Sequence, residues 1–341
     1  MTAQGPEVPV STLMNPSVSV VITTYNQAQY VAETVLSALN QTYPHREVIV
    51  VDDGSTDETA ARLAPFRDRV TVVRQDNQGV AASRNTGVRY ATGELIAFLD
   101  GDDLWEPDKL AAQVAAYRAH PHSGMIVVDA CMFSGAEVLR KSSLPWSTAL
   151  SSCEDGVWTG RFYDDLLRRP LIATTSQVMI PARVLEAVGP SDGRFKFASD
   201  YDLYLRIASR HDITFVRQVL TRWRYLATSA SGPSDFRRFR YLAEDVSVLK
   251  KHLNIATRTS RPLVRQIIRK KTFAASQEAY YYGCGHDDGW GREYLMNLWF
   301  KHRSNLWPLI FYTALSSPQA FRRAGSVMFR TVLAARRVLT T

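Results

Sequence analysis

Cysteines and long hydrophobic runs are scarce in this sequence, and each scarcity excludes a class of protein. The three cysteines among 341 residues stand far apart without a Cys-x-x-Cys pair, which argues against a zinc ribbon or disulfide framework and fits a reducing compartment. The longest apolar run, 306–315, contains Pro308 and is about half as long as a membrane-spanning helix requires. Residues 1–16 lack the pattern of a secretion signal, so we expect a flexible leader and a cytoplasmic protein.

Acidic residues are also missing after Glu293, where the chain stays basic, and the formal net charge is +8. Basic residues beside Trp299 and Trp307 suit an anionic membrane surface or an anionic lipid-linked substrate, and a solvated helical face is the alternative. We therefore expect a possible peripheral contact with the inner membrane face. No helix-turn-helix or zinc-finger pattern is present, so we expect no nucleic-acid partner. The basic residues of this region are Lys301, Arg303, Arg322, Arg323, Arg330, Arg336 and Arg337.

Apolar runs and segments of helical spacing alternate between residues 18 and 130. Five runs predict strands: Val18–Ile22, Val48–Val51, Val70–Val73, Leu95–Leu99 and Met125–Val128. The segments between them predict helices: Ala28–Asn40, Thr56–Leu63, Gly79–Tyr90 and Pro107–Ala119. This alternation predicts an α/β fold with a mixed, mainly parallel sheet flanked by helices.

The second part of the chain gives a weaker pattern. Irregular or antiparallel segments are expected over 131–172, then a strand at Leu171–Ile180, a helix at Ala182–Val188 and a strand at Ile213–Val216. From Phe236 onward the spacing is helical. We therefore predict a leader at 1–16, a catalytic domain at 17–234 with halves 17–130 and 131–234, and a basic helical region at 235–341.

Polar motifs follow three of the predicted strands. Ligands of such sheets bind beyond the carboxyl ends of the strands. The motifs are Thr23–Asn26, Asp52–Ser55 and Asp100–Asp103. Three carboxylates within Asp100–Asp103 favour a divalent cation, Mg²⁺ or Mn²⁺, that would neutralise a diphosphate. An ordinary surface turn is the alternative interpretation.

Three further positions have the chemistry of a transfer site, each with a plainer alternative. Asp53 could accept a hydrogen bond from a base, whereas Ser55 or Thr56 could simply cap the next helix. Arg84, within a helix opened by Gly79, suits a phosphate or sugar hydroxyl, or it pairs with a strand-end aspartate. Asp200 could be a general base, or only the N-cap of its helix.

These motifs, in this order, resemble those of the family 2 glycosyltransferases with the GT-A fold. The resemblance is firm to about residue 110 and looser to about 230. The matching stretches are Ser19–Asn26, Val50–Asp57, Gly79–Gly87 and Gly93–Asp103. It implies an inverting enzyme that transfers one sugar from a nucleotide-sugar donor, UDP- or dTDP-linked, to a glycan or lipid-linked acceptor.

The resemblance also assigns roles to individual residues. Thr23, Tyr25 and Asn26 would lie at the nucleotide, with Asp53 accepting from a ring N–H of a pyrimidine. Arg84 would lie near the diphosphate or donor sugar, and Asp100 near the ribose and metal. Asp102 or Asp103 would bind the metal, and Asp200 would be the catalytic base.

Two departures from the family pattern bear on these roles. Ser199 stands where the family has Glu before the base. The histidine of a Tyr-Arg-x-His element is missing, so Arg222 or Arg224 would bind the diphosphate instead. The stretch Gln218–Trp223 is one residue longer than the Gln-x-x-Arg-Trp of processive synthases. A nucleotidyltransferase and a non-catalytic nucleotide-sugar-binding scaffold stay open as alternatives.

Overall fold

The structure is a computed structural model that describes residues 15–143, 156–168, 171–226 and 235–285, with isolated residues at 293, 295–296, 308 and 310–312. It divides into two compact units, Met1–Leu226 and Ala227–Thr341. The basic residues predicted to contact a membrane, from Lys301 to Arg337, lie outside the described residues.

The first part of the sheet consists of parallel strands in the order β3-β2-β1-β4. Their bounds are β1 Val18–Thr24, β2 Arg46–Asp52, β3 Thr71–Arg74 and β4 Leu95–Asp100. Every residue of β1 is buried, as expected for a central strand with both faces covered. In the strand register, Thr24 is paired with Asp52 and Thr23 with Asp100. The polar motifs therefore meet at one edge of the sheet, as the sequence predicts.

The second part of the sheet is mixed. Strand β9 lies between β4 and β6 and is antiparallel to both, whereas β10 is parallel to β6 and antiparallel to β5 and β8. The bounds are β5 Leu104–Trp105, β6 Ser123–Ser134, β7 Glu137–Arg140, β8 Val157–Gly160, β9 Val178–Pro181 and β10 Asp212–Arg224. The prediction of a mixed, mainly parallel sheet flanked by helices is confirmed.

Two strand predictions need correction in this part. Residues 171–177 are not strand, because Thr175–Gln177 form a 3₁₀ turn closed by a capping box between Thr174 and Gln177. Strand β10 continues eight residues beyond the predicted Ile213–Val216, through register shifts against β6 around Val219. This extension pairs Arg222 with Leu104 of β5 and brings the backbone N–H of Arg224 to Asp103.

In residues 17–130, predicted to be the nucleotide-binding half and called the donor half below, the helices begin one to three residues later than predicted. The residues before each helix form polar turns instead; the N–H of Tyr30, for example, donates to the Gln27 carbonyl. The bounds are α1 Val31–Leu39, α2 Thr59–Leu63, α3 Val80–Tyr90, α4 Lys109–Ala119, α5 Tyr163–Arg168, α6 Ala182–Val188 and α7 Ser199–Ala208. A core of apolar side chains from the sheet, α1 and α4 fixes these elements.

The second unit contains the helices α8 Asp235–Ile255 and α9 Arg261–Gly285, which pack against each other. Lys271 of α9 forms an ion pair with Asp245 of α8. The predicted helical region is thus confirmed over these residues. Among the described residues, no helix has both the length and the hydrophobicity that crossing a bilayer requires.

Candidate active site

The loop after β1 is tied to the loop after β2. Asn26 adopts a left-handed backbone conformation with φ of 51°, which asparagine tolerates better than most residues. Its Oδ1 accepts a hydrogen bond from the Thr56 N–H at 2.8 Å, and its own N–H donates to Ser55 Oγ at 2.9 Å. Asn26 therefore shapes this edge of the sheet. Tyr25, next to it, exposes 46% of its surface and is open to a ligand, whereas Thr23 is buried.

Asp53, after β2, fixes the segment that leads into α3. Its carboxylate accepts hydrogen bonds from Gln75 Nε2 at 2.7 Å, Gln78 N–H at 3.0 Å and Gly79 N–H at 2.8 Å. A carboxylate offers about four acceptor positions, so one stays open for a further donor. The alternative that Ser55 or Thr56 caps α2 is wrong, because α2 begins at Thr59 without a side-chain cap.

Arg84 of α3 reaches across to the end of β4. Its Nη2 donates to Asp100 Oδ1 at 2.8 Å, and its side chain is almost fully buried. The plainer alternative, in which Arg84 pairs with a strand-end aspartate, is thus present in the structure, and the predicted role at a phosphate or sugar stays a prediction. Gly79, with φ of 87°, is the N-cap of α3, which has no side-chain cap. The backbone N–H groups of the first turn and a buried guanidinium are both suited to an anionic group.

The acidic cluster comprises Asp100, Asp102 and Asp103, and it is not an ordinary surface turn. Asp103 is 1% exposed. The sharp turn requires glycine at position 101, because a side chain there would meet the Thr23 carbonyl oxygen at 2.9 Å. Burial, then the charge of Asp100, raises the pKa of Asp102 to about 6. Burial and the two neighbouring charges raise the pKa of Asp103 well above its usual range.

The carboxylates of the acidic cluster differ in how many hydrogen bonds their oxygens already accept. Both oxygens of Asp103 accept hydrogen bonds: Oδ1 from the Arg224 N–H at 2.9 Å, and Oδ2 from Ser176 Oγ at 2.6 Å and Thr174 Oγ1 at 2.9 Å. Asp102 is only partly buried and accepts a side-chain hydrogen bond from Gln27. Asp102 therefore has more acceptor capacity left for a ligand than Asp103.

The carboxylate oxygens of the acidic cluster fit a hard divalent cation. Among the described residues, no three acidic, histidine or cysteine side chains converge closely enough to enclose a metal ion by themselves. Mg²⁺ commonly takes one or two carboxylates and completes its shell with water and phosphate oxygens, so a complete protein cage is not needed. The like charges that raise the pKa of Asp102 are also those that a cation would neutralise.

Arg222 and Arg224 lie side by side over one aromatic ring. Their guanidinium carbons are 4.6 Å and 4.5 Å from the centroid of the Phe133 ring. Arg224 also donates from Nε to the Asp102 carbonyl oxygen at 2.7 Å and from Nη2 to Glu33 Oε2 at 2.9 Å. Arg224 thus borders the acidic cluster and is already engaged there, and Arg222 lies over the same aromatic ring.

Asp200 lies in the first turn of α7. The alternative that it caps this helix is wrong, since α7 begins at Ser199 and its N-cap is Ala198. Burial raises the pKa of Asp200; the Arg84 charge opposes this shift and the Asp100 charge adds to it. Asp200 is therefore close enough to Arg84 and Asp100 for their charges to act on it, although α7 and α3 lie far apart in the chain.

With this geometry in hand, the chain can be compared with known proteins. Residues 19–161 match the family model described as glycosyl transferase family 2. Over this segment the chain is similar to the family 2 glycosyltransferases. The matched segment includes the loops after β1, β2 and β4 and the whole acidic cluster. It ends before Thr174, Asp200 and Arg224, so the roles of those residues depend on the structure and the motif likeness.

Relatives and solved structures agree with the family and the fold. The putative teichuronic acid biosynthesis glycosyltransferase TuaG of Bacillus subtilis (strain 168) is 34% identical over 163 residues, which is 46% of this chain and 59% of TuaG. The structure of S. aureus TarS 1-349 in complex with UDP-GlcNAc is similar with a TM-score of 0.56 at 17% identity, covering 91% of this chain and 92% of that one. At this identity the likeness shows the fold alone.

A second solved structure has a similar fold. The mannosyltransferase PcManGT from Pyrobaculum calidifontis, in complex with GDP-Man and Mn²⁺, has a TM-score of 0.55 at 20% identity and covers 95% of this chain and 87% of that one. The two neighbours were solved with donors of different bases, so the shared fold does not indicate a base for this chain.

Several residues that support the site were missed by the sequence reasoning. Gln27 lies at Asp102, Glu33 at Arg224, and Thr174 and Ser176 at Asp103. The Thr-x-x-Gln spacing of Thr174 and Gln177 is a capping-box signal, and it could have placed the turn. Nothing in the sequence pattern signals Gln27 or Glu33, because each acts on a partner brought near only by the fold.

Proposed function

We propose that this chain is a metal-dependent, inverting glycosyltransferase that moves one sugar from a nucleotide-sugar donor to an acceptor hydroxyl. One observation supports the proposal above the others: Arg84 pairs with the donor-side Asp100 and also acts electrostatically on Asp200. A donor bound at the end of β4 would therefore lie beside a carboxylate from the other half of the first unit. That is the arrangement that transfer between two bound substrates requires.

The donor is proposed to bind along the edge formed by the loops after β1, β2 and β4. The exposed Tyr25, together with Thr23, would flank the base, and Asp53 would accept from a ring N–H through its open acceptor position. This role for Asp53 favours a uridine or thymidine diphosphate. Arg84 and the first turn of α3 would face the diphosphate or the donor sugar, and Asp100 the ribose.

A divalent metal is proposed to bind at Asp102. Asp103 would help to position the acidic cluster, since its two oxygens already accept three hydrogen bonds. When bound, Mn²⁺ or Mg²⁺ would neutralise charge on the diphosphate leaving group. Arg222, and Arg224 after exchanging Glu33 for phosphate oxygens, would add positive charge on the same side.

The transfer itself is proposed to be a single displacement with Asp200 as general base. Asp200 takes the proton of the acceptor hydroxyl as that oxygen forms a bond to the anomeric carbon. The bond from this carbon to the diphosphate oxygen breaks, and the electron pair leaves with the nucleoside diphosphate. Attack opposite the leaving group inverts the anomeric carbon. A positioned base of this kind contributes about 10²–10⁴-fold.

The acceptor is proposed to be a glycan, free or lipid-linked, in the assembly of a surface polysaccharide at the inner membrane face. The name of the relative TuaG supports a role in polysaccharide assembly. Exposed arginines of α9 support a location at the membrane face. Arg261, Arg265 and Arg269 follow one another at four-residue spacing and so share one face of the helix, on which the charge is positive. Such a face attracts anionic lipid headgroups.

Calorimetric titration tests the donor and metal parts of the proposal. UDP, dTDP and GDP are titrated into the protein with Mn²⁺, with Mg²⁺ and with EDTA. We expect one pyrimidine nucleotide to bind and to require the metal, and Asp102→Asn to lose that metal dependence. If no nucleotide binds to folded protein under any condition, the scaffold or another function must replace the proposal.

Assay of Asp200→Asn tests the catalytic part. This variant should lose transfer while its nucleotide affinity stays within about twofold, because Asp200 belongs to the acceptor side. A fully active Asp200→Asn would show that another group takes the proton. Release of pyrophosphate instead of a nucleoside diphosphate would identify a nucleotidyltransferase.

A further inference from the structure

Asn85, the neighbour of Arg84 on α3, binds the backbone of the loop that leads to α7. Its Nδ2 donates to the Ser191 carbonyl oxygen at 2.9 Å, and its Oδ1 accepts from the Ser191 N–H at 2.9 Å. One side chain thereby satisfies both backbone groups of a residue 106 positions away. Ser191 is 8% exposed, so losing these partners would leave buried polar groups without hydrogen bonds.

The same loop is held from the other side by α7 itself. Arg206 donates to the carbonyl oxygens of Val188 at 2.6 Å, Gly189 at 2.8 Å and Pro190 at 2.8 Å. Its Nε also pairs with Asp202 at 2.8 Å, and Asp202 is completely buried. The turn at 188–191 is thus bound to α3 through Asn85 and to α7 through Arg206.

These contacts connect the helix that carries Arg84 to the helix that carries Asp200. We propose that Asn85 is a positioning residue: by holding Ser191, it sets where Asp200 lies relative to Arg84 and the donor. This rests on the proposed function, because it takes Asp200 as the base. Asn85 needs no contact with either substrate. When a base is displaced by about 1 Å, the rate can fall about 10²-fold. Losing the two hydrogen bonds between Asn85 and Ser191 should therefore lower turnover without removing any reacting group.

Kinetics of Asn85→Ala in the full chain test the proposal. We expect kcat for transfer to fall about 10- to 100-fold while the calorimetric affinity for the nucleoside diphosphate with Mn²⁺ stays within about twofold. The control is Tyr90→Ala at the C-terminal end of the same helix, where the residue is 53% exposed and lies outside the first turn of α3. This control should transfer at close to the wild-type rate.

A double-mutant cycle with Asp200→Asn separates positioning from general destabilisation. If Asn85 acts through Asp200, Asn85→Ala should slow the residual transfer of Asp200→Asn by less than about twofold. Equal losses in both backgrounds, or a loss of nucleotide affinity that matches the loss of kcat/KM, would overturn the positioning role. So would an Asn85→Ala variant with unchanged kcat.

The cycle also distinguishes this proposal from the one on which it rests. A fully active Asp200→Asn refutes the base assignment, and the positioning role falls with it. An inactive Asp200→Asn beside a fully active Asn85→Ala refutes the positioning role alone. Thermal unfolding of each variant is measured in parallel, so that activity is compared per folded molecule.

Discussion

The packing of α3 on β1 leaves room for nothing larger than glycine at position 87, and this gives a sharp prediction. A methyl group on residue 87 would lie 2.1 Å from Val21 Cγ1 and 3.2 Å from Val21 Cβ. Val21 is completely buried in the central strand. Gly87→Ala must therefore push α3, with Arg84 and Asn85, away from the sheet or force Val21 out of its rotamer.

The expected magnitudes follow from these contacts. Overpacking of this kind costs about 1–3 kcal/mol, and the lower entropy of the unfolded alanine chain returns about 0.4–1 kcal/mol. We expect Gly87→Ala to lower the free energy of unfolding by about 2 kcal/mol. Val21→Ala removes two methyl groups and leaves a cavity, which costs about 2–3 kcal/mol.

The double variant makes the prediction specific. In Gly87→Ala with Val21→Ala, the new methyl group occupies the space that Val21 Cγ1 has left. The loss should then be about 1–2 kcal/mol, well below the sum of the two single losses, with a coupling of about 3 kcal/mol. Urea denaturation followed by circular dichroism measures each free energy.

A matched glycine serves as control. Among the described residues, no atom lies within 4 Å of a methyl group placed on Gly193, so Gly193→Ala should change the free energy of unfolding by less than about 0.5 kcal/mol. Additive losses in the double variant, or a neutral Gly87→Ala, would show that α3 does not pack on β1 as closely as described here.

Two further predictions concern catalysis and membrane contact. A base must be ionised to act, and burial raises the pKa of Asp200 above the ordinary value of about 3.9, so kcat/KM should fall about tenfold per pH unit below that raised pKa. Nucleotide binding is measured over the same pH range as the control. An acidic decline of kcat/KM that begins only at or below about pH 3.9 contradicts the prediction. Replacing Arg265 and Arg269 with Glu lowers the net charge by four, which at about 1 kcal/mol per charge should weaken partition to phosphatidylglycerol vesicles about 10³-fold at low salt. Equal partition would contradict the membrane contact. The matched control reverses two exposed arginines of the first unit, Arg67 and Arg69.

The sequence sufficed to bring the polar motifs of the donor half to one edge of the sheet, because their signals are local. Each polar motif directly follows an apolar run, and parallel strands bring their carboxyl ends to one edge. Asp53, Arg84 and Asp100 could therefore be placed together without knowing any contact. Helix starts were less accurate, since the polar turns after the strands satisfy their backbone groups through side chains of other loops.

The second half could not be predicted as well, because its elements depend on distant partners. Strand β10 was underestimated since the exposed Arg217 and Gln218 interrupt its apolar pattern before it resumes pairing with β6. The sequence pattern predicts strand at Thr175–Gln177, because apolar residues precede and follow this 3₁₀ turn. Both elements matter for the site, since β10 carries Arg224 and the 3₁₀ turn lies against Asp103.

The support of the acidic cluster also bears on how the catalytic domain is organised. The predicted boundary between the halves, at residue 130, falls inside β6, and β9 inserts between β4 and β6. The three donors to Asp103 come from Thr174, Ser176 and Arg224, all beyond that boundary. Hydrogen bonds to a charged group contribute about 1.5–3 kcal/mol each, so a donor half by itself would bury Asp103 with none of them. Residues beyond 130 therefore complete the hydrogen bonding of the acidic cluster, so we expect the two predicted halves to unfold together in a single transition.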